Sequence, residues 1–439
     1  MGFLDRFFGL SAQGTTVRTE VMAGFTTFLT MAYIVLVNPA ILSQTGMPLA
    51  AVAAATCASA AFASILMGLV ANYPLAMAPG MGLNAYFTFT VVKGMGLPWQ
   101  TALGCVFLSG VCFLLLTLGG VRQMIVNAIP KPLFAAVAGG IGLFIAFIGL
   151  KEAGIIVASP ANTVALGDLK TPAPALALLG LLIIAVLSAW RIKGAVLIGI
   201  LATTAAAWGL GQVTYQPTPY DLKALTGTAF VLDIPAALDI GKTGFGILEI
   251  VFVFLFVDLF DNVGTLVGVS KRAGLMQPDG SIPRLNKILF TDSIASMAGA
   301  VMGTSTVTSY IESAAGVAEG GRTGLTAVVT GLLFLVALFF APYAQFIPAA
   351  ATAPALIIVG ALMMAPLKEI DWEDAGVSVP AFLILIGIPL TFSIANGLAF
   401  GITAYAVIKL LRGQARPGDW LLLVLAGLFV ARFIWLSAA

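Results

Sequence analysis

Long apolar runs constrain this chain more than any other feature of its sequence. Many of them extend to about 20 residues, which is the length that a helix needs to cross a bilayer. Hydrophobic residues make up 60% of the 439-residue chain and charged residues only 9%, whereas about a quarter of a soluble domain is charged. The runs lack the strict alternation of a membrane barrel. The sequence therefore predicts an all-α polytopic membrane protein.

A polar stretch at 213–243 divides the apolar runs into two sets. The seven runs before it are predicted to span the membrane at 20–42, 50–71, 76–93, 98–120, 131–150, 173–190 and 194–212. The seven runs after it are predicted to span at 245–270, 286–302, 303–320, 323–342, 351–366, 375–392 and 395–411. A last run at 420–436 contains Arg432, and the sequence leaves open whether it crosses the membrane or lies on it.

An odd number of spans in each half predicts an inverted repeat. With seven spans, the second half enters the membrane from the opposite side, as in many secondary transporters. If the N-terminus is cytoplasmic, 15 Lys and Arg residues lie inside and 5 lie outside, which satisfies the positive-inside rule. Residues 1–19 resemble a short amphipathic segment on the membrane surface, without the apolar core of a signal peptide.

Two carboxylates lie deep inside the apolar run at about 247–269. Asp258, Asp261, Asn262 and Thr265 follow helical spacing and share one face of the predicted helix. Acids at that depth are expensive unless they face a cavity or a partner, so they indicate a functional site. The alternative is a polar stripe that only holds helices together, although Ser, Thr, Asn and Gln are the usual residues for that purpose.

The third span of each half has a composition that disfavours a continuous helix. Pro79, Gly80 and Gly82 interrupt the first one, and a run of Thr and Ser at 304–309 interrupts the second. We predict in each a short extended strand followed by a half-helix, which starts near Gly82 or near Ser309. Interrupted segments at matching positions in two halves are a sequence signature of a transport site. An ordinary polar contact between helices remains the alternative.

The polar residues predicted at membrane depth are acidic or neutral, namely Asn84, Asp258, Asp261, Asn262 and Glu312. Buried acids without a cation at the same depth favour protonation, or a ligand that donates hydrogen bonds. This set favours a neutral, N–H-rich substrate with a proton as the coupling ion, and it disfavours an inorganic anion. Nearby aromatic residues either stack on a flat substrate or pack in the core. They are Tyr33, Tyr86, Phe87, Phe260 and Tyr310.

Other chemistry finds little support in the composition. The chain has no His, and its three Cys lie in apolar segments without metal-ligand spacing, so we expect no metal site and no cofactor. A net charge of +2 does not point to nucleic acid. An intramembrane aspartyl protease would need two aspartates on different helices, whereas Asp258 and Asp261 share one helix. A channel fits the composition, but the interrupted inverted repeat favours a carrier.

Three motifs resemble one family. MAPGMGLNAYF, FVDLFDNVGTLVGV and TSTVTSYIESAAGVAEGGRTGLT together are similar to the AzgA-like purine permeases of the nucleobase–cation symporter group. The resemblance implies a uracil-permease-like fold of fourteen spans, placed in a bacterial inner membrane. It implies a core domain at 20–120 and 244–342, and a gate domain at 121–212 and 343–412. An extracytoplasmic linker would occupy 213–243, and the apolar helix at 413–439 lies outside the family pattern.

The resemblance also implies roles for individual residues. Asp258 and Glu312 would hold a purine base through its N–H groups, and Asn84 would shape the site. Asp258, Asp261 and Glu312 are the candidates for proton coupling. Backbone N–H groups would complete the contacts to the base around Phe87, Tyr310 and Ile311. Adenine, guanine and hypoxanthine cannot be ranked from the sequence, and xanthine, uracil or an inorganic anion are the alternative substrates. A homodimer is compatible with this architecture, although the sequence reveals no interface.

Overall fold

The computed structural model describes residues 2–120, 130–213, 223, 226–239, 246–277 and 281–435. Within these ranges most of the chain is helical, and nine helices are long and apolar enough to cross a bilayer. Four shorter apolar helices accompany them in the same described ranges. The prediction of a multi-pass helical membrane protein is confirmed, while part of the predicted linker at 213–243 lies outside the described residues.

Most of the helices fall within the predicted apolar runs, but Phe3–Phe8 lies in the predicted interfacial segment and Ile234–Leu238 in the predicted linker. In the first half they are α1 (Phe3–Phe8), α2 (Val17–Met31), α3 (Ile34–Leu42), α4 (Leu49–Leu66), α5 (Met81–Ala85), α6 (Trp99–Leu118), α7 (Lys131–Glu152), α8 (Pro172–Ala189), α9 (Ala195–Gly209) and α10 (Ile234–Leu238). In the second half they are α11 (Gly246–Ala273), α12 (Leu285–Met302), α13 (Ser313–Ala318), α14 (Gly324–Ala337), α15 (Ala349–Leu362), α16 (Ala375–Thr391), α17 (Ile394–Leu411) and α18 (Trp420–Trp435).

Local sequence explains several helix boundaries. The side chains of Thr16, Asp374 and Ser393 accept hydrogen bonds from backbone N–H groups in the first turns of α2, α16 and α17. Several helices change their winding in the last turns: α4 and α5 continue as π-helices at Met67–Ala71 and Tyr86–Val92, and α14 continues as a 3-10 helix at Leu338–Phe346.

The two interrupted segments meet as a pair of short strands. β1 (Met77–Pro79) and β4 (Val307–Ser309) are antiparallel and fully buried, and Ala78 faces Thr308 at the centre of the ladder. The Gly80 N–H donates to Thr306 O at 3.0 Å beside the ladder. Extended backbone at this depth is tolerated because the partner strand satisfies its polar groups. The predicted strand before each half-helix is therefore observed.

The start of the second half-helix differs from the prediction. The first half-helix, α5, begins at Met81, next to the predicted Gly82, but the second begins at Ser313 rather than near Ser309. Ser309 is still part of the strand, and a turn follows in which the Ser313 N–H donates to Tyr310 O at 3.1 Å. The strand pairing with the first half decides this boundary, so the composition of the Thr/Ser run alone could not.

A second pair of strands was not predicted. β2 (Ile156–Ser159) and β3 (Thr163–Leu166) form an antiparallel hairpin in the loop between α7 and α8. Its residues are exposed or half-buried. Within the described ranges the fold is thus helical with two small two-stranded sheets rather than purely helical.

A buried acid supports the contact between α2 and α14. Glu20 is fully buried, and its carboxylate accepts from the Arg322 N–H at 2.8 Å and from Thr326 Oγ1 at 2.6 Å. A carboxylate is favoured at a helix N-terminus, where backbone N–H groups lack partners within the helix. Glu20 therefore anchors the start of α14, a role that helical periodicity does not reveal.

The C-terminal helix α18 is packed into the rest of the protein. Leu422, Leu425 and Phe429 are buried, and the Phe429 ring lies edge-on to Phe252 of α11 with centroids 5.7 Å apart. The Phe433 ring stacks on Phe400 of α17 at 5.5 Å. The apolar run that the sequence left unplaced therefore covers both α11 and α17.

Candidate functional site

The polar face of α11 lies inside the helix bundle. Asp258, Asn262 and Thr265 are 2%, 0% and 6% exposed, and Asp261 is half-buried. The helix contacts β4, the half-helices α5 and α13, and also α6, α7 and α17. The face that the spacing indicated is therefore directed toward the strand crossing and not toward lipid.

Serines from neighbouring segments hold this face in place. Ser296 of α12 has its hydroxyl 3.5 Å from Asp258 Oδ2 and 3.0 Å from Val307 O. Ser309 of β4 donates to Asn262 Oδ1 at 3.0 Å. The Ser309–Asn262 hydrogen bond thus joins the acidic helix to the strand that precedes the second half-helix, and the Ser296 hydroxyl lies between Asp258 and the same strand.

Glu312 accepts a hydrogen bond from a tyrosine of the first span. The residue lies in the turn just before α13, and its Oε1 accepts a hydrogen bond of 2.5 Å from Tyr33 Oη. Asp261 lies within electrostatic range of Glu312 and of Asp292. Tyr310 is also close to Glu312, but its own hydroxyl donates to Pro79 O at 2.6 Å. Tyr33, Asp261, Tyr310 and Glu312 form one polar cluster, which we call the Glu312 cluster.

Asn84 occupies the first half-helix and is fully buried. Its Oδ1 accepts a hydrogen bond from Ser305 Oγ. Its Nδ2 has no hydrogen-bond partner among the residues that the structure describes. A buried amide donor without a partner is costly and often marks the place of a ligand or water.

The backbone N–H groups that are free to contact a base differ from those that the family resemblance implied. The Tyr310 N–H donates to Ala76 O at 3.0 Å, so the strand pairing already uses it. Phe87 lies in the second turn after the start of α5, where its N–H is directed along the helix. The N–H groups of Met81, Gly82 and Leu83 in the first turn have no acceptor within a regular helix. Ile311 is 49% exposed, and its N–H donates to no acceptor in the described ranges.

Sequence reasoning found the acids of this site but missed their partners. The sequence presented Tyr33 only as an aromatic that stacks or packs and Ser305 and Ser309 only as parts of the interrupting Thr/Ser run, and it gave no signal for Ser296. Each lies far along the chain from the residue that it bonds, so helical spacing carries no signal for these contacts. No group of three or more His, Cys, Asp or Glu side chains suited to a metal ion occurs within the described ranges.

The sequence matches a known family over most of its length. Residues 18–403 match the permease family (Xan_ur_permease). The chain is 49% identical over 438 residues to the putative permease MJ0326 of Methanocaldococcus jannaschii, covering 100% of this chain and 99% of the relative. It is 46% identical to the adenine permease AdeP of Escherichia coli, covering 100% and 97%. It is 43% identical to the guanine/hypoxanthine permease PbuO of Bacillus subtilis, covering 96% and 98%.

The fold is also similar to that of a solved transporter. The transmembrane domain of the cyanobacterial bicarbonate transporter BicA superposes with a TM-score of 0.64 at 16% identity. The similarity covers 93% of this chain and 98% of that domain. At this identity the comparison describes the fold alone, whereas the family match and the full-length relatives identify the class of protein. The chain belongs to the permease family and is a multi-pass membrane permease, not an enzyme.

Proposed function

We propose that this permease imports purine nucleobases (adenine, guanine or hypoxanthine) together with protons. The observation that carries the proposal is the crossing of the two interrupted segments, where Asp258, Glu312 and Asn84 belong to one bundle interior and Asn84 Nδ2 has no partner among the described residues. Full-length relatives named as adenine and guanine/hypoxanthine permeases support the same substrate class.

The donors and acceptors of the site suit the edge of a purine. Asp258 and Glu312 carry carboxylates that accept hydrogen bonds from ring and exocyclic N–H groups. Asn84 Nδ2, the first-turn amides of α5 and the Ile311 N–H supply donors for ring nitrogens or a carbonyl. A neutral heterocycle with alternating donors and acceptors satisfies both sets, whereas an inorganic anion would satisfy only the donors.

The acids in the site support a proton as the coupling ion. Asp261 and Glu312 lie within electrostatic range of each other. Protonation of either carboxylate therefore changes the electrostatic interaction with the other carboxylate and with a bound base. Asp258 lies one helical turn before Asp261 on the same face of α11. In this scheme one of the three carboxylates takes up a proton before or with the base.

Transport would proceed by alternating access of a core domain against a gate domain. Two half-chains of seven spans each, with a cytoplasmic N-terminus, would place β1 and β4 at matching positions of an inverted repeat. Their antiparallel pairing, Met77 opposite Ser309 and Pro79 opposite Val307, supports this arrangement. The α5 and α13 half-helices would then carry the base across with the core domain.

Equilibrium binding tests the substrate assignment. Purified protein in detergent is titrated with radiolabelled adenine, guanine, hypoxanthine, xanthine and uracil, and with bicarbonate. We expect saturable binding of at least one of the first three, with strong weakening in Asp258→Asn and Glu312→Gln. Asp168→Asn, an exposed change in the loop before α8, is the matched control. Binding of uracil, xanthine or bicarbonate without any of these three purines would replace the proposed substrate class.

A further inference from the structure

Tyr33 lies where the first membrane span is interrupted. α2 ends at Met31 and α3 begins at Ile34, and between them the Val35 N–H reaches Ala32 O at 3.1 Å in a tighter turn. The Tyr33 side chain is only 1% exposed and extends into the Glu312 cluster. A break in the helix at this position changes the direction of the Tyr33 side chain without moving the whole helix.

The hydroxyl of Tyr33 has one hydrogen-bond acceptor among the described residues, and that acceptor is Glu312 Oε1 at 2.5 Å. The other tyrosine of the cluster cannot replace it, because the Tyr310 hydroxyl is engaged with Pro79 O. Asp261 and Tyr310 are the other titratable groups that face Tyr33.

We propose that Tyr33 is a positioning residue for Glu312. Its hydroxyl fixes the carboxylate of a residue that stands in a turn, outside regular secondary structure, and thereby sets the direction from which Glu312 accepts a hydrogen bond. The same bond ties the first span to the second half-helix. This inference rests on the proposed function only in that Glu312 is taken to contact the transported base.

The substitution Tyr33→Phe removes the donor and keeps the ring. The Glu312 side chain then loses the contact that holds its rotamer, so base binding weakens although Tyr33 does not touch the base. Loss of one hydrogen bond to a charged acceptor corresponds to about a 10- to 100-fold change in dissociation constant. Because the effect acts through Glu312, it disappears when Glu312 is already altered.

The matched control is Tyr73→Phe. Tyr73 is also buried, at 2% exposure, and its hydroxyl shares a hydrogen bond of 2.9 Å with Ser270 Oγ away from the Glu312 cluster. Both variants lose one buried hydroxyl with a single partner. A general cost of removing such a hydroxyl therefore affects both variants equally.

A double-mutant cycle measures the coupling. The dissociation constant of the labelled base is determined for wild type, Tyr33→Phe, Glu312→Gln and the double variant, with Tyr73→Phe beside them. We expect the 10- to 100-fold loss in Tyr33→Phe, little change in Tyr73→Phe, and no further loss on adding Tyr33→Phe to Glu312→Gln. An equal loss in both backgrounds, or equal losses in the two tyrosine variants, overturns the proposal.

Infrared difference spectroscopy separates this proposal from the proposed function. The carboxyl band of Glu312 is assigned by its disappearance in Glu312→Gln, and no substrate is needed to record it. We expect Tyr33→Phe to shift this band and Tyr73→Phe to leave it in place. A shift in a protein that binds no purine would sustain the positioning role while the substrate assignment fails, whereas an unmoved band overturns the role of Tyr33.

Discussion

Arg432 Nη2 lies 2.5 Å from Glu249 Oε1, and this ion pair joins the last helix to the first turn of α11. The same guanidinium donates through Nη1 to Asn396 Oδ1 of α17 at 2.9 Å. Both charged side chains are largely buried, with 19% and 11% of their surface exposed. One arginine in an apolar C-terminal run therefore connects the helix that carries Asp258 and Asp261 to a helix near the end of the second half.

Replacing only one member of the Arg432–Glu249 ion pair should destabilise the protein. Arg432→Met leaves the Glu249 carboxylate largely buried without its cation, which costs about 3 kcal/mol. The double variant Glu249→Gln/Arg432→Met should recover most of that loss, because neither charge is then left alone. The measurement is the midpoint of thermal unfolding in detergent.

The exposed pair between Arg412 and Asp374 is the control for that prediction. These side chains are 40% and 42% exposed, and their oxygen and nitrogen atoms are 2.7 Å apart. Water screens such a pair, so Arg412→Gln should change the midpoint far less than Arg432→Met. Similar losses in both variants would contradict the role assigned to the buried pair.

A side chain at Gly80 should clash with the methyl group of Thr308, which lies beside it. A Cβ atom at Gly80 would lie 2.8 Å from Thr308 Cγ2, inside the buried strand crossing. Gly80→Ala should therefore destabilise the protein by about 1–3 kcal/mol through overpacking and reduce uptake. Thr308→Ser removes the clashing methyl group, so the double variant should regain stability and uptake.

Gly264 provides the comparison for that test. It lies on α11, and a Cβ atom there meets no atom within 4 Å. Gly264→Ala should be neutral or slightly stabilising, because Ala is the better helix former. Failure of Thr308→Ser to rescue Gly80→Ala would show that the loss has a cause other than this contact.

The lowered pKa of Asp419 should make the stability of the protein fall at acidic pH. The Lys409 side chain, which donates to Asp419 at 2.8 Å, and then the Arg416 N–H hold the pKa of this carboxyl below its usual value of 3.8. A lowered pKa in the folded state stabilises the protein above about pH 4, and this contribution is lost as the pH falls through the lowered pKa. The unfolding midpoint of wild type should therefore fall more steeply between pH 5 and 3 than that of Asp419→Asn. Parallel curves would exclude this linkage.

Asp258→Asn should abolish most uptake without unfolding the protein. The amide keeps the size of the side chain and can still meet the Ser296 hydroxyl, which lies 3.5 Å from Asp258 Oδ2. It presents only one acceptor oxygen and no charge to a base, so we expect uptake to fall at least about tenfold, as for the loss of a charged hydrogen bond. The assay compares initial uptake rates at equal protein, and Asp168→Asn should transport at the wild-type rate.

Much of the fold could be predicted because its physics is local. Apolar runs of membrane length predict helices directly, and Pro79 and Gly80 mark the interruption that begins with β1. Helical spacing correctly grouped Asp258, Asn262 and Thr265 on one buried face. These inferences depend only on residues that lie within a few helical turns of one another in the sequence.

The parts that were missed depend on partners distant in the chain. Ser309 stays extended because β1 pairs with it, so the start of α13 is decided by the other half of the protein. Tyr33 and Glu312 are hydrogen-bonded although 279 positions separate them in the sequence, and no periodicity relates them. The sequence left the run that contains Arg432 unplaced, because the partner of this arginine, Glu249, lies far back in the chain.

The most direct test of the central proposal is uptake of radiolabelled adenine, guanine and hypoxanthine into proteoliposomes, with and without an inward proton gradient. The account predicts that at least one of these bases accumulates, that the gradient accelerates its uptake, and that Glu312→Gln loses this acceleration. Uptake of a purine that ignores the gradient would contradict proton coupling. Accumulation of uracil, xanthine or bicarbonate, with no uptake of adenine, guanine or hypoxanthine, would contradict the assignment of Asp258 and Glu312 as purine ligands.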